Sequence, residues 1–413
     1  MKKLLFLITA ITMILVCVFS SSAESAEKFY WNDETYVESN STKIVDNVVY
    51  KLYSIGESKW YEVYDWFDTK ENAETAQEIN IVSEIDGIKV TAIRFNDEPL
   101  RYIDNHNYSV KKVTIPDSIK SIGNRFFSVL DGLEELTIPA SVKYLACDDP
   151  LPISNAFYEM ESLKNITFLG DIESLGGFAN CKKLETVVFN GSVEEIYMDA
   201  FKNCESLKEF TIPETVKLIM GGAFKNSGLT SVIIPGNVES FTYDGDYCGA
   251  FEDCKNLTEV AFSESNVKHL SISDDTFRNC TALKTVTLPE KSDSITIGYR
   301  AFRDCKNLTT VNNTENITKI YGGAFRDCTS LESFTISEKT TMIGKNAFYG
   351  CTNLKNVTVN SKTKAPKLYS GAFAKTNSAL TFTAKNATSA KNWKTALTKS
   401  GLKNAKVGYM QYV

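Results

Sequence analysis

Histidine is scarce in this sequence: His106 and His269 are the only two. Neither stands near a cysteine or a carboxylate at the spacing of metal ligands, so a histidine-based metal centre is not predicted. No nucleophile paired with a base, no carboxylate pair and no complete phosphate loop stands out. We therefore expect no cofactor and a protein that is not an enzyme. A hydrolase is the third-ranked alternative, because a folded chain can bring acidic side chains together from distant positions.

Long apolar runs are missing after the N-terminus. The one such run, residues 4–19, follows two lysines and precedes small residues. This pattern is typical of a secretory signal peptide, and Ser21 and Ala23 suit the cleavage site. The run is short for a bilayer span, and an uncleaved anchor helix is the alternative. We expect residues 1–23 to be removed, which leaves a secreted or cell-surface chain without a transmembrane span.

Acidic residues are absent from the end of the chain. Residues 339–413 contain thirteen lysines, no arginine and no Asp or Glu, so all 51 acidic residues lie earlier. One hypothesis is that this basic end rests on an anionic envelope polymer or on lipid headgroups. The other is that the lysines keep the last part of the chain soluble and prevent end-to-end stacking. The candidate contacts with an anionic surface are Lys385, Lys391, Lys394, Lys399, Lys403 and Lys406.

One sequence unit recurs through most of the chain. Its pattern is approximately A-F-x-x-C-x-x-L-x-x-V-x-I-P, and successive copies are 21 to 30 residues apart, most often 23 to 25. A repeat of this length indicates a solenoid, in which each unit is one coil. The anchor residues are Phe127, Phe157, Phe178, Phe201, Phe224, Phe251, Phe277, Phe302, Phe325, Phe348 and Phe373.

The copy at residues 200–219 illustrates what each position is predicted to do. Phe201 and the leucine six residues later fill the coil. Residues 209–212 alternate between polar and apolar, which predicts a strand with one buried face. Pro213 ends that strand, because it has no N–H to donate. Two glycines at 221–222 allow the turn into the next coil.

This pattern resembles the BspA-like leucine-rich-repeat proteins, which are secreted or surface proteins of bacteria and some protists. The resemblance covers about residues 80–383. It implies a right-handed solenoid with short parallel strands, located at or outside the cell surface, with an adhesive or recognition role. The fold class predicted from the repeat is thus a β-rich solenoid of leucine-rich repeats, capped at both ends.

The two ends of the chain do not follow the repeat. Residues 24–78 are predicted to form an N-terminal β cap, with a hairpin from 48–54 and 59–67. Its tryptophans Trp31, Trp60 and Trp66 are interpreted as a cover for the first coil, and sugar stacking is the alternative. Residues 79–383 are assigned to the solenoid, and 384–413 to a C-terminal cap with an amphipathic helix and a last strand.

Ten cysteines in an exported protein suggest disulfides, but their positions favour free thiols. Seven of them lie three residues after an anchor phenylalanine, one in each of seven coils. A small buried apolar side chain suits this position. Cys147 and Cys248 are four coils apart, roughly 20 Å at about 5 Å per coil, which is too far for a disulfide. We predict a column of buried, unpaired cysteines.

Binding is predicted for the outer surface of the solenoid. The outward residue in the middle of each first strand is often threonine, which also suits any exposed strand. The candidate partner contacts are Thr211, Thr287, Thr335 and Thr358, together with Tyr243 and Tyr247 in an inserted loop. That loop also holds Asp244 and Asp246, but they lack the rest of a calcium-binding motif.

Two functions remain open on this basis. The first is a non-catalytic binding protein that recognises an extracellular protein or glycan on a host or neighbouring cell. The alternative is a structural protein of the envelope, held to an anionic surface by its lysine-rich end. Nucleic acid is not a predicted partner, because no basic groove interleaved with aromatic residues is visible.

Overall fold

The computed structural model describes residues 37–55, 57–68, 70–93, 109–123, 126–145, 156–241, 249–264 and 267–410, all of which belong to one compact unit. The predicted signal peptide therefore lies outside the described residues, as do His106, Trp31 and three cysteines. The described chain is a parallel β-solenoid, so the predicted fold class is confirmed.

The N-terminal part is an antiparallel meander that continues into the solenoid. The predicted hairpin is confirmed, since β2 (Val48–Ile55) pairs with β3 (Ser58–Asp65) in antiparallel register, and an additional edge strand, β1 (Val37–Val45), pairs with β2. β3 then pairs in parallel with β6 (Ile88–Ile93), which starts the coils. The elements are β1 Val37–Val45, β2 Val48–Ile55, β3 Ser58–Asp65, helix α1 Lys70–Thr75, β4 Glu78–Asn80, β5 Glu84–Ile85, β6 Ile88–Ile93, β7 Lys112–Thr114 and β8 Ser121–Ile122.

Each regular coil contributes two short strands. The first strand follows the anchor phenylalanine and its leucine, and the return strand follows the proline turn. The first strands are β9 Glu135–Ile138, β11 Asn165–Phe168, β13 Thr186–Phe189, β16 Ser231–Ile234, β17 Glu259–Phe262, β19 Thr285–Thr287, β21 Thr310–Asn312, β23 Ser333–Ile336, β25 Asn356–Val359, β27 Thr381–Ala384 and β28 Lys406–Tyr409.

The return strands form the opposite side of the solenoid. They are β10 Tyr144–Leu145, β12 Ile172–Leu175, β14 Val193–Ile196, β15 Leu218–Ile219, β18 His269–Ile272, β20 Ser294–Ile297, β22 Ile317–Ile320, β24 Met342–Ile343 and β26 Lys367–Leu368. Between β15 and β18 the ladder narrows to single bridges through Ser240. A short 3-10 helix, Thr314–Asn316, precedes β22.

The first strands are divided into three separate parallel sheets, β9–β11–β13, β16–β17–β19–β21 and β23–β25–β27–β28. The last strand of the second sheet ends at Asn312, and the next residue, Asn313, adopts a left-handed backbone with φ 58°. The amide of Asn313 bonds the previous coil, donating to the Leu288 carbonyl at 2.9 Å. β21 does not pair with β23, but the two coils stay connected elsewhere, as where the Phe302 N–H donates to the Ala324 carbonyl at 2.8 Å.

The predicted strand at residues 209–212 is wrong: this segment contains no strand, and the coil of Phe201 separates the first two sheets. The next coil is one residue shorter between its anchor and its strand, because Ser227, Gly228 and Leu229 replace the usual Cys-x-x-Leu. Gly228 packs tightly there, since a Cβ on it would lie 2.1 Å from the Glu205 carbonyl oxygen. The segment without a strand therefore lies next to a shortened and closely packed coil.

The core is organised around a continuous stack of the eleven anchor phenylalanines. Neighbouring rings have centroids 4.7–5.4 Å apart from Phe127 to Phe373. Trp66 packs on Phe127 at one end with centroids 5.3 Å apart, as the covering interpretation predicts. At the other end the stack continues through Phe382 to Trp393. Trp66 and Trp393 are both fully buried.

The C-terminal segment contains the helix α2, Ala387–Lys399, and then β28. Asn386 is the N-cap of α2, and its side chain accepts a hydrogen bond from the Ser389 N–H at 2.8 Å. Trp393 and Leu397 are the large apolar residues that α2 buries. The predicted helix and last strand are therefore confirmed, whereas the exact boundary of this cap stays a prediction.

Candidate partner-binding surface

The first strands together form one side of the solenoid, which we call the first-strand side. It carries the threonine positions that were predicted to contact a partner. In the third sheet, Thr335 of β23 pairs with Thr358 of β25, which pairs with Thr383 of β27. All three are half-buried. Neighbouring strands of a sheet lie about 4.7–4.9 Å apart. Because these three strands pair in register, their central threonines form one column along the solenoid. The structure thus brings Thr335 and Thr358 together and adds Thr383 to them.

The other predicted positions do not join this column. Thr287 belongs to the second sheet, where the Asn312 side chain donates a hydrogen bond to its Oγ1 at 3.2 Å. Thr211 is exposed but lies in the segment that forms no strand, so its predicted place in a strand ladder is wrong. Tyr243 and Tyr247 lie outside the described residues.

Apolar side chains replace threonine in the middle coils. On the same side of the solenoid, Ile233 is 63% exposed and Val188 is 42% exposed. They belong to the strands that flank the interrupted coil, β16 and β13. Large exposed apolar residues in such a position are available for contact with another macromolecule.

The candidate lysines surround the C-terminal helix. Lys391, Lys394 and Lys399 are exposed on α2, and Lys403 and Lys406 are exposed after it. Lys385, directly after β27, is half-buried. Within the described chain none of these six ammonium groups forms an ion pair, and no Asp or Glu follows residue 338. Their positive charge is therefore not neutralised locally.

The cysteine column is buried, and its seven described members are unpaired, as predicted. Each thiol donates to the carbonyl oxygen of the anchor phenylalanine in the preceding described coil, as from Cys328 Sγ to Phe302 O at 3.0 Å. Burial raises the pKa of Cys254 to about 11 and that of Cys351 to about 12. Protonated, buried thiols of this kind are poor nucleophiles, which assigns them to the core.

A second column was not recognised from the sequence. The residue two positions after the anchor phenylalanine has a left-handed backbone in ten coils, and its identity is usually Asn or Asp. The Asn203 amide donates to Asn180 Oδ1 at 2.7 Å, and the Asn226 amide donates to Asn203 Oδ1 at 2.9 Å. The sequence did contain a signal for this column, because Asn or Asp directly precedes most of the cysteines.

These left-handed residues also connect the coils through the backbone. The N–H of Asn203 donates to the Lys225 carbonyl at 2.9 Å, and that of Asp304 donates to Arg326 at 2.9 Å. Asn and Asp tolerate the left-handed conformation better than other residues with a side chain. The columns are therefore structural, and they leave the outer strand positions free to vary.

Among the described residues no cluster of three or more His, Cys, Asp or Glu side chains is arranged to hold a metal ion. His269 is exposed, and its Nδ1 lies 2.7 Å from Ser294 Oγ. The neighbouring surface is a shallow polar groove at the narrow point of the return side, lined by Lys217, Lys268 and Ser240 among others. The Asp244 and Asp246 pair lies outside the described residues.

Comparison with protein-family models identifies the family to which these coils belong. The model for the BspA type leucine rich repeat region matches six copies, over residues 76–148, 153–248 and 245–380. The chain belongs to the BspA-type leucine-rich-repeat family. The description of the family is that of a leucine-rich-repeat region, in agreement with the solenoid described above. A search of curated proteins finds no match.

Six of the solved structures similar to this BspA-type chain share between 13% and 21% identity with it. The pneumococcal vaccine antigen PcpA is 19% identical with a TM-score of 0.44, and the match covers 91% of this chain and 100% of that one. A leucine-rich cell surface protein of Faecalibacterium prausnitzii is 20% identical with a TM-score of 0.38, covering 86% and 97%. A leucine-rich repeat protein of Bacteroides ovatus is 21% identical with a TM-score of 0.35, covering 83% and 100%.

Neither helix in the described part of this BspA-type chain has the length and apolar character that a bilayer crossing requires. α1 has six residues and α2 has thirteen.

Proposed function

We propose that this protein is a non-catalytic, secreted or cell-surface binding protein that recognises macromolecules of a host or neighbouring cell. The observation that carries the proposal is the division of each coil into two sets of positions. The inward set repeats the same Phe, Cys and Leu residues, whereas the outward strand positions vary from coil to coil. A solenoid with a uniform core and a variable outer face is suited to extended binding surfaces.

The contact region proposed for this function is the first-strand side. Thr335 and Thr358 present a flat, polar column, and Val188 and Ile233 present apolar side chains farther along the same side. Thr211, Thr287, Tyr243 and Tyr247 are further candidates. A protein or a glycan that lies across several coils would contact these positions together.

The alternative function is structural attachment to the protein's own envelope. It is favoured by the five exposed lysines of the C-terminal segment, none of which has a carboxylate partner in the described chain. In this case Lys385, Lys391, Lys394, Lys399, Lys403 and Lys406 would contact an anionic polymer, and the acidic remainder would project away from it.

The two functions are separated by measuring binding to two ligands in parallel across a salt series. One is a panel of extracellular matrix glycoproteins and glycans, and the other is the envelope of the producing cell. Recognition predicts saturable binding to a defined external partner that survives physiological salt. Structural attachment predicts binding only to the envelope, with affinity that falls as salt rises.

A matched pair of variants sharpens this comparison. Changing the six C-terminal lysines to glutamine should abolish envelope binding at low salt if the attachment is electrostatic. The control changes six exposed lysines elsewhere by the same charge, namely Lys182, Lys183, Lys208, Lys255, Lys268 and Lys284. Unchanged envelope binding of the first variant at low salt would exclude attachment through the lysine-rich end.

A further inference from the structure

Four consecutive coils, from Phe302 to Phe373, share a surface feature that neither the threonine column nor the C-terminal lysines include. On the turn before the anchor, each coil places one large side chain beside a glycine or serine. These pairs are Gly298–Tyr299, Tyr321–Gly322, Gly344–Lys345 and Tyr369–Ser370. We call Tyr299, Tyr321, Lys345 and Tyr369 the tyrosine row.

The rings of the row are held in place but remain accessible. The Tyr299 and Tyr321 centroids are 5.0 Å apart with an interplanar angle of 48°. Tyr299 also lies over Gly322, where a Cβ would come within 3.1 Å of its Cε1 atom. Tyr299 is nevertheless 50% exposed and Tyr369 37% exposed. Aromatic rings that are packed yet exposed offer contact area at a low cost in conformational entropy.

The row is accompanied by positive charge that is not neutralised. Lys367 Nζ lies 4.6 Å from the ring centroid of Tyr369, and Lys345 is exposed in the neighbouring coil. Neither ammonium group forms an ion pair within the described residues. Acidic groups are present at the start of the row, where Asp274 accepts a hydrogen bond from the Tyr299 N–H at 2.7 Å and Asp275 pairs with Arg300.

We propose that the tyrosine row, together with Lys367, binds an acidic polysaccharide. The tyrosine faces would pack against the C–H faces of sugar rings, while Lys345 and Lys367 would bind their carboxylate or sulfate groups. This inference rests on the proposed binding function and names a ligand class for a surface other than the threonine column. It gives the repeat a second binding face.

An extended polymer fits this surface better than a small ligand. The row is open along its length, whereas small-molecule sites are enclosed clefts. Its members recur once per coil, at the spacing of the phenylalanine stack beneath them, whose centroids here are 5.0–5.3 Å apart. Single-stranded nucleic acid also combines flat rings with negative charge, so an oligonucleotide is the competing ligand that the experiment must separate from an acidic polysaccharide.

Direct binding of the full chain at physiological salt tests the proposal. The probes are a heparin oligosaccharide, a galacturonic acid oligosaccharide, neutral dextran and single-stranded oligothymidine, measured by calorimetry. We expect binding to at least one acidic oligosaccharide and to neither of the other two probes. The variant pairs Tyr299→Ala with Tyr369→Ala, and Lys345→Gln with Lys367→Gln, should each weaken binding by roughly tenfold.

Matched controls distinguish this row from general charge attraction. Tyr409→Ala removes a similarly exposed tyrosine, and Lys355→Gln with Lys362→Gln removes the same charge elsewhere in the basic segment. These controls should change the affinity by less than about twofold. Gly322→Ala displaces the Tyr299 ring and should weaken binding by several-fold, while the circular dichroism of every variant stays that of the native fold.

Three results would overturn the inference: no binding to either acidic oligosaccharide, equal loss in the control lysine pair, or oligothymidine binding of similar strength. The proposed function fails separately. If the two-ligand experiment still finds an external partner while acidic oligosaccharides do not bind, only the tyrosine row is excluded. If oligosaccharide binding depends on the tyrosine row but no cellular partner is captured, the inference about the row is supported and the proposed recognition function is not.

Discussion

At the scale of single residues, each coil has two kinds of position with different roles, the anchor phenylalanine and the outward residue of the first strand. Phe302 is fully buried between Phe277 and Phe325, with ring centroids 5.3 Å from each. Thr335 lies in the following coil on the outer side of a strand and is half-buried. Removing the first side chain leaves a cavity, and removing the second does not.

Phe302→Ala should therefore lower the free energy of unfolding by about 3–5 kcal/mol. Thr335→Ala should lower it by about 0.5 kcal/mol or less. Urea denaturation of both variants measures the difference. Equal losses would mean that the inward and outward positions have been assigned incorrectly.

The buried thiols make stability depend on pH in the alkaline range. In the unfolded chain a thiol ionises near its usual pKa of about 8.5, whereas burial raises the pKa of Cys181 and Cys351 to about 12 in the folded chain. Above about pH 9 the unfolded state therefore binds fewer protons than the folded state, and stability falls as pH rises. This contribution is fully present at neutral pH and is lost progressively towards pH 12.

Replacing Cys280, Cys305 and Cys328 by alanine should reduce the loss in melting temperature between neutral pH and pH 10. A control variant, Val260→Ala with Val286→Ala, is destabilised without losing a thiol and should keep the full pH dependence. If the triple cysteine variant showed the same pH dependence as the control, the thiols would not be the groups responsible.

At the scale of elements, the turn after each phenylalanine connects one coil to the next. Asn203 adopts φ 60°, and its side chain bonds Asn180 and Asn226 in the two adjacent coils. The left-handed backbone and the side-chain hydrogen bonds of Asn203 thus contribute separately to stability. Glycine at this position keeps the favourable backbone conformation but not the hydrogen bonds, and alanine keeps neither.

We expect Asn203→Ala to cost about 2–3 kcal/mol, from left-handed strain and two lost hydrogen bonds. Asn203→Gly should cost about 1 kcal/mol, because the backbone conformation is retained. Thermal or urea unfolding of both variants checks the order. A glycine variant as unstable as the alanine variant would contradict the proposed backbone contribution.

The C-terminal helix is the element that covers the last coil. Trp393 is fully buried, stacks on Phe382 with centroids 6.0 Å apart, and donates from Nε1 to Ser361 Oγ at 3.2 Å. Trp393→Ala should cost about 3–5 kcal/mol and should increase hydrogen exchange in β27 and β28. Lys394→Ala, one residue away and exposed, is the control and should leave exchange unchanged.

How far the sequence predicts these elements depends on how regular each unit is. The anchor phenylalanines, the cysteine column and the N-terminal hairpin follow from spacing and alternation alone. The missing strand at 209–212 could not be predicted from its own residues, because they alternate between polar and apolar as in the coils that do form a strand. The asparagine column is visible in the sequence as Asn or Asp two positions after most anchor phenylalanines. Its structural role depends on a left-handed backbone, which the spacing of residues in the sequence does not reveal.

The candidate surface was less predictable than the core. The sequence placed Thr335 and Thr358 in one column, which the strand register confirms, but it could not show that the first strands divide into three sheets. The contact between Tyr299 and Tyr321 also escaped prediction, because one ring precedes a glycine and the other precedes an arginine in offset positions of their units. Outer positions vary without a period, so only the folded chain shows which of them meet.

At the scale of the whole molecule, core and surface are separated throughout the coils. The stack from Trp66 to Trp393 accounts for stability, and the outer strand faces remain available for binding. If this separation holds, a change on the outer face can remove binding while the fold stays intact.

The most direct test is the binding of a Thr335→Lys, Thr358→Lys double variant to the external partner that the wild-type protein captures. We expect binding to fall by roughly tenfold, with a melting temperature within a few degrees of the wild type. The control variant carries Thr309→Lys and Thr352→Lys, two exposed threonines outside the column, and should bind normally. Full binding by the column variant, in a protein that is still folded, would contradict the assignment of the first-strand side as the recognition surface.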